Sequence, residues 1–142
     1  MDDKEMLSYI YQNADMGVDG VLRMLGKAAG SDLRGSLQSQ LAAYNGIRSD
    51  ALTLLRERGS EPEEPSPLNQ LSSRVAAITE MLRNSTDEHI AEMMIQGSAM
   101  GLTKITKRLG DYEGGDREVR LLAGRLLSTE QLGIEQMKKF LN

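Results

Sequence analysis

All three prolines of this 142-residue chain lie within six positions, in the stretch SEPEEPSPL at 60–68. Proline lacks an amide hydrogen and pushes the residue before it out of helical geometry, so no helix passes through this stretch. It is a linker, and the chain on either side is free of that restriction. Both arms carry apolar residues three and four positions apart, the spacing of one helical face.

In the first arm, Leu7, Ile10, Ala14, Val18, Val21 and Leu25 predict a helix over about 3–29. AAGSDL then predicts a left-handed stop at Gly30 and a new helix with Ser31 as its N-cap, a link short enough to make an antiparallel hairpin. The second helix, about 31–58, carries Leu33, Leu37, Leu41, Tyr44, Ile47, Ala51 and Leu54 and stops at Gly59. After the linker, Ser66 and Pro67 predict the N-cap and first residue of a shorter helix holding Leu68, Leu71, Val75, Ile78 and Leu82 and ending near 83. Ser85 and Glu88 have capping-box spacing and open a helix with Ile90, Met94, Ser98, Ile105 and Leu109 that ends in TKRLG. Asp116 caps the last helix, which presents Val119, Leu122, Leu126, Glu130, Gly133 and Met137. The expectation is all-α: one domain over 1–142, two antiparallel hairpins joined by a crossover and short helix at about 59–86. At 1.5 Å per residue the long helices span roughly 35–42 Å.

Composition narrows the chemistry. There is no cysteine, which removes disulfides and thiolate metal sites. A net charge of −4, with one phenylalanine and no tryptophan, offers neither attraction to phosphate backbones nor stacking platforms, so nucleic acid is not an expected partner. MDDKEMLSYI lacks the basic start and apolar run of a signal peptide, and no stretch approaches the ~20 apolar residues of a membrane span. A cytoplasmic protein without membrane association is expected.

NADMGVDGVLRML, LRGSLQSQLAAYNGIRSDAL, IQGSAMGLTKITKRL and LLSTEQLGIEQMKKFL, in this order around a proline-rich crossover, resemble the ferritin-like superfamily, and in particular its small bacterial members without an assigned activity. The resemblance implies a metal site at mid-height, with a Glu from each of two helices and Glu-x-x-His from each of the other two. The midpoints of the four long helices here fall at Asp15, Tyr44, Ser98 and Glu130. Gln40, Ala43, Tyr44 and Ile47 stand where the second helix would supply its ligands, and Glu130 is followed three positions later by Gly133 instead of histidine. The sole histidine, His89, lies about 14 Å along its helix from Ser98. A degenerate di-iron site is what the resemblance then implies, without ferroxidase or oxygenase activity and with no cofactor.

Two arrangements of the four mid-height residues are open. They form a buried hydrogen-bonded layer, or Asp15 and Glu130 hold a weakly bound iron or manganese ion, with Asp15 and Asp19 a further possible cation pair. Close helix packing is the first explanation of the glycines within helices, and a mid-bundle pocket lined by Gly17, Gly97 and Gly101, with Met94, is the alternative. The nine methionines read as core packing in a chain poor in aromatics. Apolar residues beyond the core stripes, among them Tyr11, Leu22, Leu55 and Leu121, point to a structural or interaction protein. It is expected to form a homodimer through a hairpin face, with a further protein partner possible. A stress-related metalloprotein or a small-molecule binder is the alternative.

Overall fold

A computed structural model describes residues 1–63, 80 and 82–141. It contains four long helices, α1 (Asp3–Leu25), α2 (Ser31–Glu57), α3 (Asp87–Asp111) and α4 (Arg117–Met137), and a short 3-10 turn at Lys138–Phe140. No strand occurs among the described residues, so the all-α expectation holds. The short helix expected over 66–83 falls almost wholly outside the described residues.

Helix α2 packs on α1 and α4, and α3 packs on α4 and α1. The directions follow from the contacts at the two ends. At one end Asp87, the first residue of α3, accepts hydrogen bonds from the amides of Ala29 (2.9 Å) and Gly30 (2.8 Å) in the α1–α2 turn. At the other, Arg58, just beyond α2, pairs with Asp116 at the start of α4, and Tyr112, just beyond α3, donates to Asp3 at the start of α1. The ends of α2 and the start of α3 are therefore at opposite ends of the bundle.

The core is a continuous apolar column. Met6, Leu7, Ile10 and Ala14 of α1, Leu33, Leu37 and Ile47 of α2, Ile90 and Ile105 of α3, and Val119 and Leu126 of α4 are at most 1% exposed. Each large aliphatic side chain contributes roughly 1.5–3 kcal/mol through burial. The spacing of these residues is the one expected, except that Met24 is buried in α1 where Leu25 is expected, that Leu109 of α3 is only partly covered, and that α2 departs at one position. In α2 the buried face passes through Gln40, 3% exposed, and not through Leu41, which is only partly covered.

The helix ends divide between expected and shifted. Gly59 adopts φ 68°, and Ser60 N donates to Leu55 O while Gly59 N donates to Arg56 O. That is the Schellman pattern, which satisfies carbonyls that the end of α2 leaves free. Asp116 caps α4 through Glu118 N and Val119 N. Gly30 is not a left-handed stop: its φ is −76° and it occupies the N-cap of α2, making Ser31 the first helical residue. The α1 helix has already ended at Leu25. The cap of α3 is Thr86, whose Oγ1 accepts from His89 N at 3.1 Å, one position after the Ser85 box. Gly110 does not stop α3, which continues to Asp111.

Asp87 joins the start of one hairpin to the turn of the other with two hydrogen bonds, one of them exposed, each worth about 1 kcal/mol net. Asp87→Ala should lower unfolding stability by about 2 kcal/mol in urea titration. An unchanged midpoint would show that this clip carries no weight.

Candidate functional site

The residues at mid-height converge on one side chain. Tyr44 projects from α2 into the bundle centre, 4% exposed, and its hydroxyl donates to Glu130 Oε1 on α4. Ser98 of α3 is within hydrogen-bonding reach of the same phenol oxygen. The ring lies on Gly17 of α1, where a Cβ would come 2.7 Å from Tyr44 Cδ1. All four helices thus meet at Tyr44, and α1 contributes the absence of a side chain.

Glu130 has a second glycine beside it. A Cβ on Gly101 of α3 would fall 2.5 Å from Glu130 Oε2 and 2.9 Å from its Cδ. One turn further along α4, a Cβ on Gly133 would lie 2.8 Å from Gln40 Nε2. This accounts for the glycine three positions after Glu130: the space a larger residue would occupy there holds the Gln40 amide. Gln40 Nε2 donates to Gln136 Oε1 at 3.3 Å, while Gln40 Oε1 is buried without a partner among the described residues. A polar seam consequently runs along the α2–α4 contact, from Gln136 and Gln40 to Glu130, Tyr44 and Ser98. Gln40, Gly133 and Gln136 were missed as site residues, although Gln40 at three and four residues from Leu37 and Tyr44 was a readable signal.

Burial pushes the Glu130 carboxyl up to about 7 from its ordinary 4.5, and the hydrogen bond from Tyr44 opposes part of that rise. The phenol of Tyr44 is raised well above its usual value by burial, then by the neighbouring Glu130 charge and by its own bond to that carboxylate. Near neutrality the pair therefore alternates between a neutral acid and a single buried carboxylate, with Tyr44 keeping its proton in both. An ionised carboxylate in such a place is tolerated through the Tyr44 hydroxyl aimed at it.

Asp15 does not join this layer. It follows the fully buried Ala14 and points outward, where its Oδ1 accepts from Arg48 Nη1 at 2.8 Å. Asp19 pairs with Arg23 at 3.4 Å instead of sharing a cation with Asp15. Among the described residues, no group of three or more His, Asp and Glu is arranged to hold a metal ion. His89 sits at the start of α3, 3.7 Å from Glu92.

Close packing, and not a mid-bundle pocket, is what Gly17 and Gly101 provide. Tyr44 occupies the space over Gly17, the Glu130 carboxyl that over Gly101, and Met94 is 5% exposed in the core. Gly97 is exposed and has nothing within 4 Å of a built Cβ. Two hollows among the described residues are superficial. One of about 540 Å³ lies between α2 and α4 over Ala43, Ile47, Leu121, Gly124 and Ser128, and one of about 320 Å³ lies at Ser8, Tyr9, Gln12 and Glu63.

No family model matches this sequence, and no curated protein matches it. Among solved structures, the fold is similar to the crystal structure of a DUF305 fragment from Deinococcus radiodurans, with a TM-score of 0.74 over 96% of this chain and 93% of that one. At 16% identity this likeness is one of fold alone. It corrects the ferritin-like resemblance, which no match supports: the four-helix fold that matches is identified as a DUF305 fragment and not as a ferritin-like protein. Helix lengths and a long connection describe what four amphipathic helices can do, and different families share them.

Glu130 sets a pH dependence whose sign is fixed by its raised value. Between about 4.5 and 7 the folded chain holds a proton that the unfolded chain releases. Its contribution is complete below 4.5 and is lost as pH rises through about 7, by at most about 3 kcal/mol for a shift of this size. Urea unfolding at pH 5 and pH 8 should show Glu130→Gln losing less stability than the wild type between the two values. Equal losses would remove Glu130 as the titrating group. Gly101→Ala should cost about 1–3 kcal/mol by displacing the Glu130 carboxyl, whereas Gly97→Ala, on the open side, should stabilise by up to about 1 kcal/mol.

Proposed function

We propose that this chain is a non-catalytic structural or interaction protein that works as a homodimer in the cytoplasm, its mid-bundle acid serving to lock the helices in register. The observation that carries this reading is a pair of leucines on one outer stripe of α4, Leu121 at 58% and Leu132 at 56% exposure. Scattered apolar residues are ordinary on a surface, but two on one stripe flanking a hollow suit an interface. Leu22 of α1 and Met100 of α3 are also exposed, whereas Leu55 is fully buried and Tyr11 packs partly against the core.

The non-catalytic part of the reading is supported by how the candidate groups are used. The Glu130 carboxyl is engaged by Tyr44, Asp15 is committed to Arg48, and neither borders a hollow that would admit a substrate. An iron or manganese site built on Asp15 and Glu130 would need both to leave their present partners. No helix among the described residues is long and apolar enough to cross a membrane.

Two measurements on natively purified protein test the reading. Light scattering across a concentration series should approach twice the 15.7 kDa chain mass. Elemental analysis should find iron and manganese well below one atom per chain. A strict monomer would overturn the dimer, and stoichiometric metal lost in Glu130→Leu would replace the structural reading with a metalloprotein.

A further inference from the structure

The outer stripe of α4 carries, in order, Arg117, Leu121, Gly124 and Arg125, Ser128, Leu132 and Glu135, each three or four residues from the last and so on one helical face. From the pattern of this stripe we infer that α4 is self-complementary, and that the second copy docks antiparallel on it about a two-fold axis at the height of residue 126. This rests on the dimer reading above and assigns its surface.

The register follows from symmetry. A helix paired antiparallel with its own copy about residue 126 sets position 117 against 135, 121 against 131 and 124 against 128. An isologous contact makes each such pairing twice. Arg117 then faces the partner's Glu135, opposite charges at both ends of the contact. Arg117 is exposed and makes no ion pair among the described residues, while Glu135 reaches only Lys138 on its own chain, 2.8 Å away. Leu121 comes within one residue, about 1.5 Å along the axis, of the partner's Leu132. The two most exposed leucines among the described residues cover each other.

The centre of the stripe suits a close crossing. Gly124 has nothing within 4 Å of a built Cβ, and it lies opposite the small Ser128 of the partner. Small residues at a crossing let helix axes approach toward the lower end of the usual 8–10 Å. The hollow between Leu121, Gly124 and Ser128 on α4 and Ala43 and Ile47 on α2 is where the partner's helix would sit. Its rim is braced by Arg125 and Asp50, paired at 2.5 Å across the two helices.

The absence of cysteine makes the register directly readable. Gly124→Cys and Ser128→Cys are each made singly, and oxidised alone and as an equimolar mixture under mild conditions after subunits have exchanged. The mixture should form disulfide-linked dimers several-fold more efficiently than either variant alone, with Met100→Cys on α3 giving none above background. Leu121→Asp should shift the wild-type dimer to monomer in light scattering with its helical circular dichroism retained. A dimer that shows no preference for the mixed pair overturns the α4 register and leaves self-association standing. A monomeric wild type overturns both.

Discussion

The bond between the Tyr44 phenol and the Glu130 carboxyl organises the centre of the bundle. Burying a carboxyl group among leucines and isoleucines is unfavourable unless hydroxyls meet it. Tyr44 supplies one from α2, and Ser98 of α3 stands behind it at the phenol oxygen. A ring large enough to reach from α2 to α4 must pass close to α1, and Gly17 is the clearance for it. The carboxyl in turn needs room beside α3, and Gly101 gives it. Glycines that cost each helix something by propensity thus return it through the one geometry that pairs a buried acid.

An apolar core alone permits four amphipathic helices to slide by a turn or rotate with little loss, since one leucine packs much as another does. A directional bond between defined heights of α2 and α4 removes those alternatives, the role best attested for polar groups in helical cores. The ends are fixed by a comparable device. Asp87 seats the start of α3 on the α1–α2 turn, and Arg58 with Asp116 joins the end of α2 to the start of α4.

Much of this architecture was legible from spacing. The four long helices, the buried stripe of α4 and most of that of α1, the Gly59 stop and the Asp116 cap all follow from local rules whose partners lie within a few residues. Height in the bundle was legible too, because length divides simply, and Tyr44, Ser98 and Glu130 do meet. Rotation about the helix axis was not. Asp15 shares the height of Glu130 but follows Ala14 by 100° and turns to Arg48, while Gln40 and Leu41 compete for one place that neighbouring helices decide. Capping failed where two suitable residues adjoin: Ser85 and Thr86 are equal in sequence, and the choice falls with the anchoring of Asp87. Helix order and a long connection were not enough to read a family, because families of different function share them.

The glycine contacts bear on how such a sequence can drift. Gly17 is moulded to the Tyr44 ring, Gly101 to the Glu130 carboxyl and Gly133 to the Gln40 amide, each pair reaching across two helices. In each, enlarging one member is tolerated only when the other shrinks, so the six positions hold fewer independent choices than their number suggests. Change at this core has to arrive in couples, and a chain that lost Tyr44 would free Gly17 to become almost anything small.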